Sequence, residues 1–153
     1  MPKVKHYIDS IYYDVELTAY AMRMLGRQLF ENLNLGITLV EHAALDTIFC
    51  NAGICQRDLA KLILVDRANT GRILDSLEEK GLITRFVDLK NNRLVKKMGV
   101  TEKGHEKLEE VNRSIEKHLN NVKRSFSTED VEKLQESLRN FREGILAHVE
   151  VNI

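Results

Sequence analysis

Between Arg67 and Arg72 the chain reads Arg-Ala-Asn-Thr-Gly-Arg. Two guanidinium groups and a carboxamide, spaced by small side chains, suit docking against a polyanion and reading base edges. Asn can pair with adenine and Arg with guanine. Ala68, Thr70 and Gly71 are short enough for close groove approach. If Asp66 caps a helix here, its first-turn N–H groups are also free for a phosphate. Lys90, Arg93, Lys96 and Lys97 follow as a second cationic group. An arginine on a projecting arm could enter a narrow A·T-rich minor groove, where negative potential is enhanced. Lysines around it attract phosphates irrespective of sequence, an attraction that salt weakens. With Arg57 ahead of both groups, the candidate DNA-binding residues are Arg57, Arg67, Ala68, Asn69, Thr70, Gly71, Arg72, Lys90, Arg93 and Lys96.

Other chemistry is thinner. Cys55 stands at a helix start near Arg57 and is the better redox candidate; Cys50 follows Ile48-Phe49 on a face expected to be core. Glu41-His42 and His105 with Glu109 would hold a metal only if their helices converged, and no metal is expected. No Ser/His/Asp pattern, phosphate loop or carboxylate pair is present, so neither an enzyme nor a cofactor is expected. Tyr12, Tyr20 and His42 are candidates for a pocket taking a small aromatic ligand, joined by Tyr13, Met22 or Phe30. Aromatic residues at helical spacing are more often core or dimer interface.

Charge supports the first group. The 153 residues carry 23 Lys/Arg and 23 Asp/Glu, but residues 55–104 hold eleven basic side chains against seven acidic ones, a net +4. The flanks are acidic by the same amount, as befits a nucleic-acid-binding module on an acidic scaffold.

These residues need a frame, and periodicity supplies one. Ile8, Ile11, Tyr12, Val15, Ala19, Met22, Leu25 and Leu29 predict a long amphipathic helix from about Ile8 to Asn32. Thr38 with Glu41 forms a capping box for a second helix, which ends at Asn51–Gly53. Gln56–Ile63 and Arg67–Lys80 predict two short helices around a tight turn, a helix-turn-helix. The period then switches. Leu82–Val87 and Leu94–Val100 read as strands around a polar Asp88–Asn92 tip. Thr101, Glu102 and Gly104 open another helix, with its stripe at Leu108, Val111, Ile115, Leu119, Val122 and Phe126. Ser127 with Asp130 caps the last, with Val131, Leu134, Leu138, Phe141 and Ile145 spaced by three and four. Such spacing packs helices together, and three long helices around a centre with its own core favour a homodimer.

Composition agrees. Apolar residues make up 43%, charged residues 30%, and one proline favours helix. No run of about 18 apolar residues can span a membrane. The start, MPKVKHYIDS, lacks the apolar stretch of a secretory signal, and two cysteines make no disulfide framework. A cytoplasmic protein is expected.

The stretch from Leu35 to Gly104 resembles the MarR family of bacterial winged helix-turn-helix regulators, and the likeness extends over essentially the whole chain. It is carried by Asp58-Leu59-Ala60-Lys61-Leu62, by Val65 to Arg72, by Leu77-Glu78-Glu79-Lys80-Gly81-Leu82-Ile83-Thr84-Arg85, and by Val100-Thr101-Glu102-Lys103-Gly104. Two positions depart from the family pattern. Asn91-Asn92-Arg93 stands where Asp-Arg-Arg is usual, so the tip arginine loses its bracing acid unless Asp88 replaces it. Cys55 stands where Ser or Thr often caps the helix. The resemblance implies a mainly α fold with a small β-hairpin wing: a dimerisation helix over 1–34, a winged helix-turn-helix over 35–104, and C-terminal dimerisation helices over 105–153. It implies a homodimeric transcriptional regulator, usually a repressor, on pseudo-palindromic double-stranded DNA. In many relatives a small aromatic ligand, an oxidant or a metal releases the DNA. A winged-helix protein-interaction module without DNA binding, or a redox-responsive regulator using Cys55, are the alternatives.

Overall fold

Ser10 sets where the first helix begins. In the computed structural model, which describes residues 6–150 apart from the side chains of 121–123, Tyr7–Asp9 form a 3-10 turn and α1 runs Ile11–Leu33. The Ser10 hydroxyl donates to Tyr7 O (2.6 Å) and accepts from Tyr13 N (3.3 Å). The helix therefore starts three residues later than the apolar stripe predicts, because a cap ends the preceding turn whatever its hydrophobicity. Val122 of the predicted stripe and the first five residues lie outside the described residues.

Helix α2 (Leu39–Cys50) opens on the Thr38/Glu41 capping box. Helices α3 (Gln56–Ile63) and α4 (Arg67–Glu79) are joined by Leu64, Val65 and Asp66. Leu64 adopts a left-handed φ of 59°, an unusual conformation for a branched side chain. Strands β1 (Ile83–Lys90) and β2 (Arg93–Val100) pair antiparallel. The predicted five-residue tip is a two-residue turn, Asn91-Asn92, with φ of 51° and 57°. Two successive left-handed residues make the tight primed turn that matches strand twist. The ladder therefore continues through Asp88, Leu89 and Lys90. Helices α5 (Glu102–Lys123) and α6 (Thr128–Leu146) follow, the latter on the Ser127/Asp130 capping box.

The core lies in the middle of the chain. Leu45, Ile48, Leu59, Leu74, Leu77, Leu82, Ile83, Met98 and Val111 are each at most 2% exposed. They come from α2, α3, α4, both strands and α5, so every element of the winged module is anchored in one cluster. An isolated bridge between Cys55 and Lys97 ties the start of α3 to β2. Arg85 of β1 reaches back to Asp75 and to Glu78 of α4, the latter at 3.4 Å.

The scaffold differs. Helix α6 buries no residue, and α1 buries only Phe30. Ile11, Tyr12, Leu17, Tyr20, Met22 and Leu25 of α1 are 44% or more exposed. Among the described residues no helix is long and apolar enough to cross a membrane.

Candidate nucleic-acid interface

Asp66 builds the start of α4. Its carboxylate accepts from Asn69 N (2.9 Å) and from the Asn69 amide (2.6 Å), and these bonds hold its pKa below the ordinary value. Arg67, Ala68, Asn69 and Arg72 are exposed on this turn, and Asn69 Oδ1 accepts from Arg72 at 3.4 Å. The Asn69 amide has a second N–H besides the one given to Asp66.

One residue predicted to face DNA is buried, and a second is half-buried beside α3. Thr70 is fully buried; its hydroxyl donates to Asp66 O (2.8 Å) and Val65 O (3.3 Å), closing the turn from inside. Gly71 faces α3: a Cβ there would lie 3.3 Å from Gln56 Nε2. The approach of Gly71 to α3 is one that sequence spacing on α4 alone cannot reveal. Gln56 in turn donates to Arg67 O at 3.3 Å.

The wing has two unlike sides, since strand residues alternate. Lys90 and Arg93 are cross-strand partners on one side at the tip, together with Asp88, Phe86 and Lys97. Lys96 falls on the opposite side, across from Val87. Asp88 does not brace Arg93. It accepts from Lys97 Nζ at 2.7 Å, and that bond lowers its pKa. Arg93, Lys90 and Lys96 are all exposed.

Arg57 is exposed on α3, with Nε 3.6 Å from Asp58. Cys55 is the N-cap of α3 and makes no side-chain capping bond. Its thiol donates to Asp58 Oδ2 at 3.2 Å, which holds the Asp58 pKa low. A carboxylate neighbour is the reverse of the electropositive surroundings in which reactive thiols sit, so the redox assignment to Cys55 loses its physical basis. Cys50, expected in the core, is exposed at the end of α2. Because the backbone of Cys55 already has capping geometry, Cys55→Ser is expected to stabilise the protein by about 0.5–1 kcal/mol. Urea denaturation checks this: an unchanged or lower midpoint contradicts it.

Glu41 serves structure. Its buried carboxylate accepts from Thr38 N (2.8 Å), Ser76 Oγ (2.5 Å) and Lys80 Nζ (2.8 and 2.9 Å). Burial pushes its pKa up, but the bonds from Lys80, Ser76 and Thr38 outweigh this and hold it below the ordinary value. The sequence signal was the capping box; Lys80, 39 positions on, had none. His42 stacks on Phe30 with ring centres 5.5 Å apart, its Nδ1 unpartnered, and burial lowers its pKa against the opposing pull of Asp46. His105 packs edge-on against Phe49 at 4.8 Å. Among the described residues no three His, Cys, Asp or Glu converge as a metal site.

A pocket of about 670 Å³ opens between α1 and the start of α2. Tyr20, Arg23, Arg27, Phe30, Leu39 and Lys80 are among the residues lining it. Of the three pocket candidates, Tyr20 lines this cavity. Tyr12 instead packs against Phe141 of α6 (5.9 Å), and His42 stands behind Phe30 without lining the cavity.

Residues 37–95 match the family model described as MarR family. Over 138 residues the chain is 29% identical to the uncharacterized HTH-type transcriptional regulator YybA of Bacillus subtilis, covering 90% of each chain. The crystal structure of the transcriptional regulator SlyA superposes with a TM-score of 0.71 at 27% identity, covering 89% of this chain and 94% of that one. The S. aureus MepR–DNA complex superposes with a TM-score of 0.72 at 22% identity, covering 92% and 99%.

Proposed function

We infer from residues 37–95, which match the MarR family model, that this protein is a DNA-binding transcriptional regulator of that family, acting as a homodimer and repressing the genes it sits beside. The observation that carries this is the shared exposure of the α4 start (Arg67, Ala68, Asn69, Arg72) and the wing tip (Lys90, Arg93), both anchored in one buried core. In this reading α4 enters the major groove and the wing approaches the adjoining minor groove. The MepR neighbour, solved on DNA, supports the same use of the fold.

The homodimer is supported by α1 and α6. Val131, Leu134, Leu138, Ile145 and Leu146 of α6 are 40–50% exposed, and a stripe of this kind needs a partner. Residues 1–34 and 105–153 then form the scaffold and 35–104 the DNA-binding module, with half-sites about one helical turn apart. A small aromatic effector is supported by the pocket beside Tyr20 and Phe30, whose Arg23 and Arg27 suit an acidic substituent. A ligand that fits one spacing of the modules better than another shifts that population.

The test is a gel shift on the DNA upstream of the protein's own gene. Wild type is expected to bind in a salt-sensitive manner. Arg93→Ala and Arg72→Ala are each expected to weaken binding roughly 10- to 100-fold. Absence of any shift at low salt would favour a protein-interaction module instead.

A further inference from the structure

The DNA-binding reading uses only one side of the wing. On the other side, Leu89 and Leu94 are cross-strand partners next to the tip, and they are 69% and 76% exposed. Val87 continues the strip at 59%, with Lys96 across from it. A solubilising arm would carry polar groups at its most exposed positions. The arm instead presents Lys90 and Arg93 on one side of its tip and branched aliphatics with Lys96 on the other.

We propose that Leu89, Leu94 and Val87 form a second DNA-contacting surface, which lies on the deoxyribose wall of the minor groove beside the site of Arg93. This rests on the DNA-binding reading above. Charge selects the occupant. Lys96 lies beside the apolar strip and Lys90 and Arg93 follow it at the tip, so a second copy of the same wing would meet like charges. The partner must be polyanionic and still offer apolar surface between its charges. A minor groove does so, because sugar C–H groups line it and phosphates rim it. Architectural minor-groove proteins press aliphatic side chains into that groove. The contact releases no counterions, so it adds affinity without steepening the salt dependence.

The experiment measures fluorescence anisotropy of a labelled duplex from upstream of the gene, at several salt concentrations. The Leu89→Ser/Leu94→Ser double variant is expected to bind about tenfold more weakly with an unchanged salt slope. The Leu89→Met/Leu94→Met variant, which keeps the apolar surface, is expected to bind like wild type. Arg93→Ala should lose affinity with a slope shallower by about one unit per arm. The proposal is overturned if the serine variant keeps full affinity, or if its slope falls as that of Arg93→Ala does. It is also overturned if the serine variant changes only the self-association of DNA-free protein. Failure of wild type to bind duplex at low salt would remove the DNA-binding reading itself, and this contact with it.

Discussion

Gly104→Ala is expected to destabilise the protein by about 2–4 kcal/mol, near or above the usual cost of one added core methylene. The reason is backbone, not side-chain, crowding. A Cβ at Gly104 would stand 2.2 Å from the carbonyl oxygen of Leu82 and 2.6 Å from Val100 Cγ1. A side chain could swing aside, but Leu82 O cannot. It accepts from Thr101 N at 3.0 Å, and Leu82 N is held by Leu77 O at 2.9 Å. The first turn of α5 would have to lift from the base of the wing. For a domain of this size the loss corresponds to a fall in Tm of about 5–15 °C. Gly144→Ala is the contrast. Among the described residues nothing outside its own stretch of helix lies within 4 Å of its Cβ site in α6, so alanine there is expected to stabilise by up to about 1 kcal/mol. Thermal melts of both variants check the pair, and a Gly104→Ala protein that melts with wild type refutes the crowding.

Glu41→Ala is expected to cost about 2–3 kcal/mol. It strands the Ser76 hydroxyl, the Thr38 N–H and the Lys80 ammonium. Removing one partner of a fully buried ion pair costs about 3–5 kcal/mol. The figure here is lower because the Lys80 side chain is 37% exposed and water can take over part of its solvation. The same carboxylate makes stability depend on pH. Its folded pKa is lowered, so its contribution is fully present above the ordinary value of 4.5 and is lost as pH falls through the folded value. Urea midpoints of wild type should therefore drop between pH 6 and pH 3 by more than those of Glu41→Gln. Equal drops would mean that Glu41 titrates as an ordinary carboxylate.

What the sequence disclosed follows from how local each signal is. Capping boxes occupy four consecutive residues, so Thr38/Glu41 and Ser127/Asp130 placed two helix starts correctly. The winged helix-turn-helix was legible because period and turn residues change together at Gly81. Ser10 was missed because the apolar stripe runs across it. The approach of Gly71 to Gln56 depends on where α3 sits, and α3 is placed by the core rather than by α4. The partner of Asp88 depends on register, which the two-residue turn fixes. On that side of the arm Asp88 lies between Lys97 and Arg93 and takes Lys97. The capping role of Glu41 was legible, but its ion pair was not, because Lys80 lies 39 positions along the chain.

The reach of Arg85 from β1 to Asp75 and Glu78 makes the arm and α4 a single stiff piece. In the proposed pair, two such pieces would behave like caliper jaws. An effector bound to that pair would have no need to reshape either jaw; it would reset the gap. Operators would accordingly be sorted by the number of base pairs between their halves, and inserting or deleting one pair at the centre should mimic the effector.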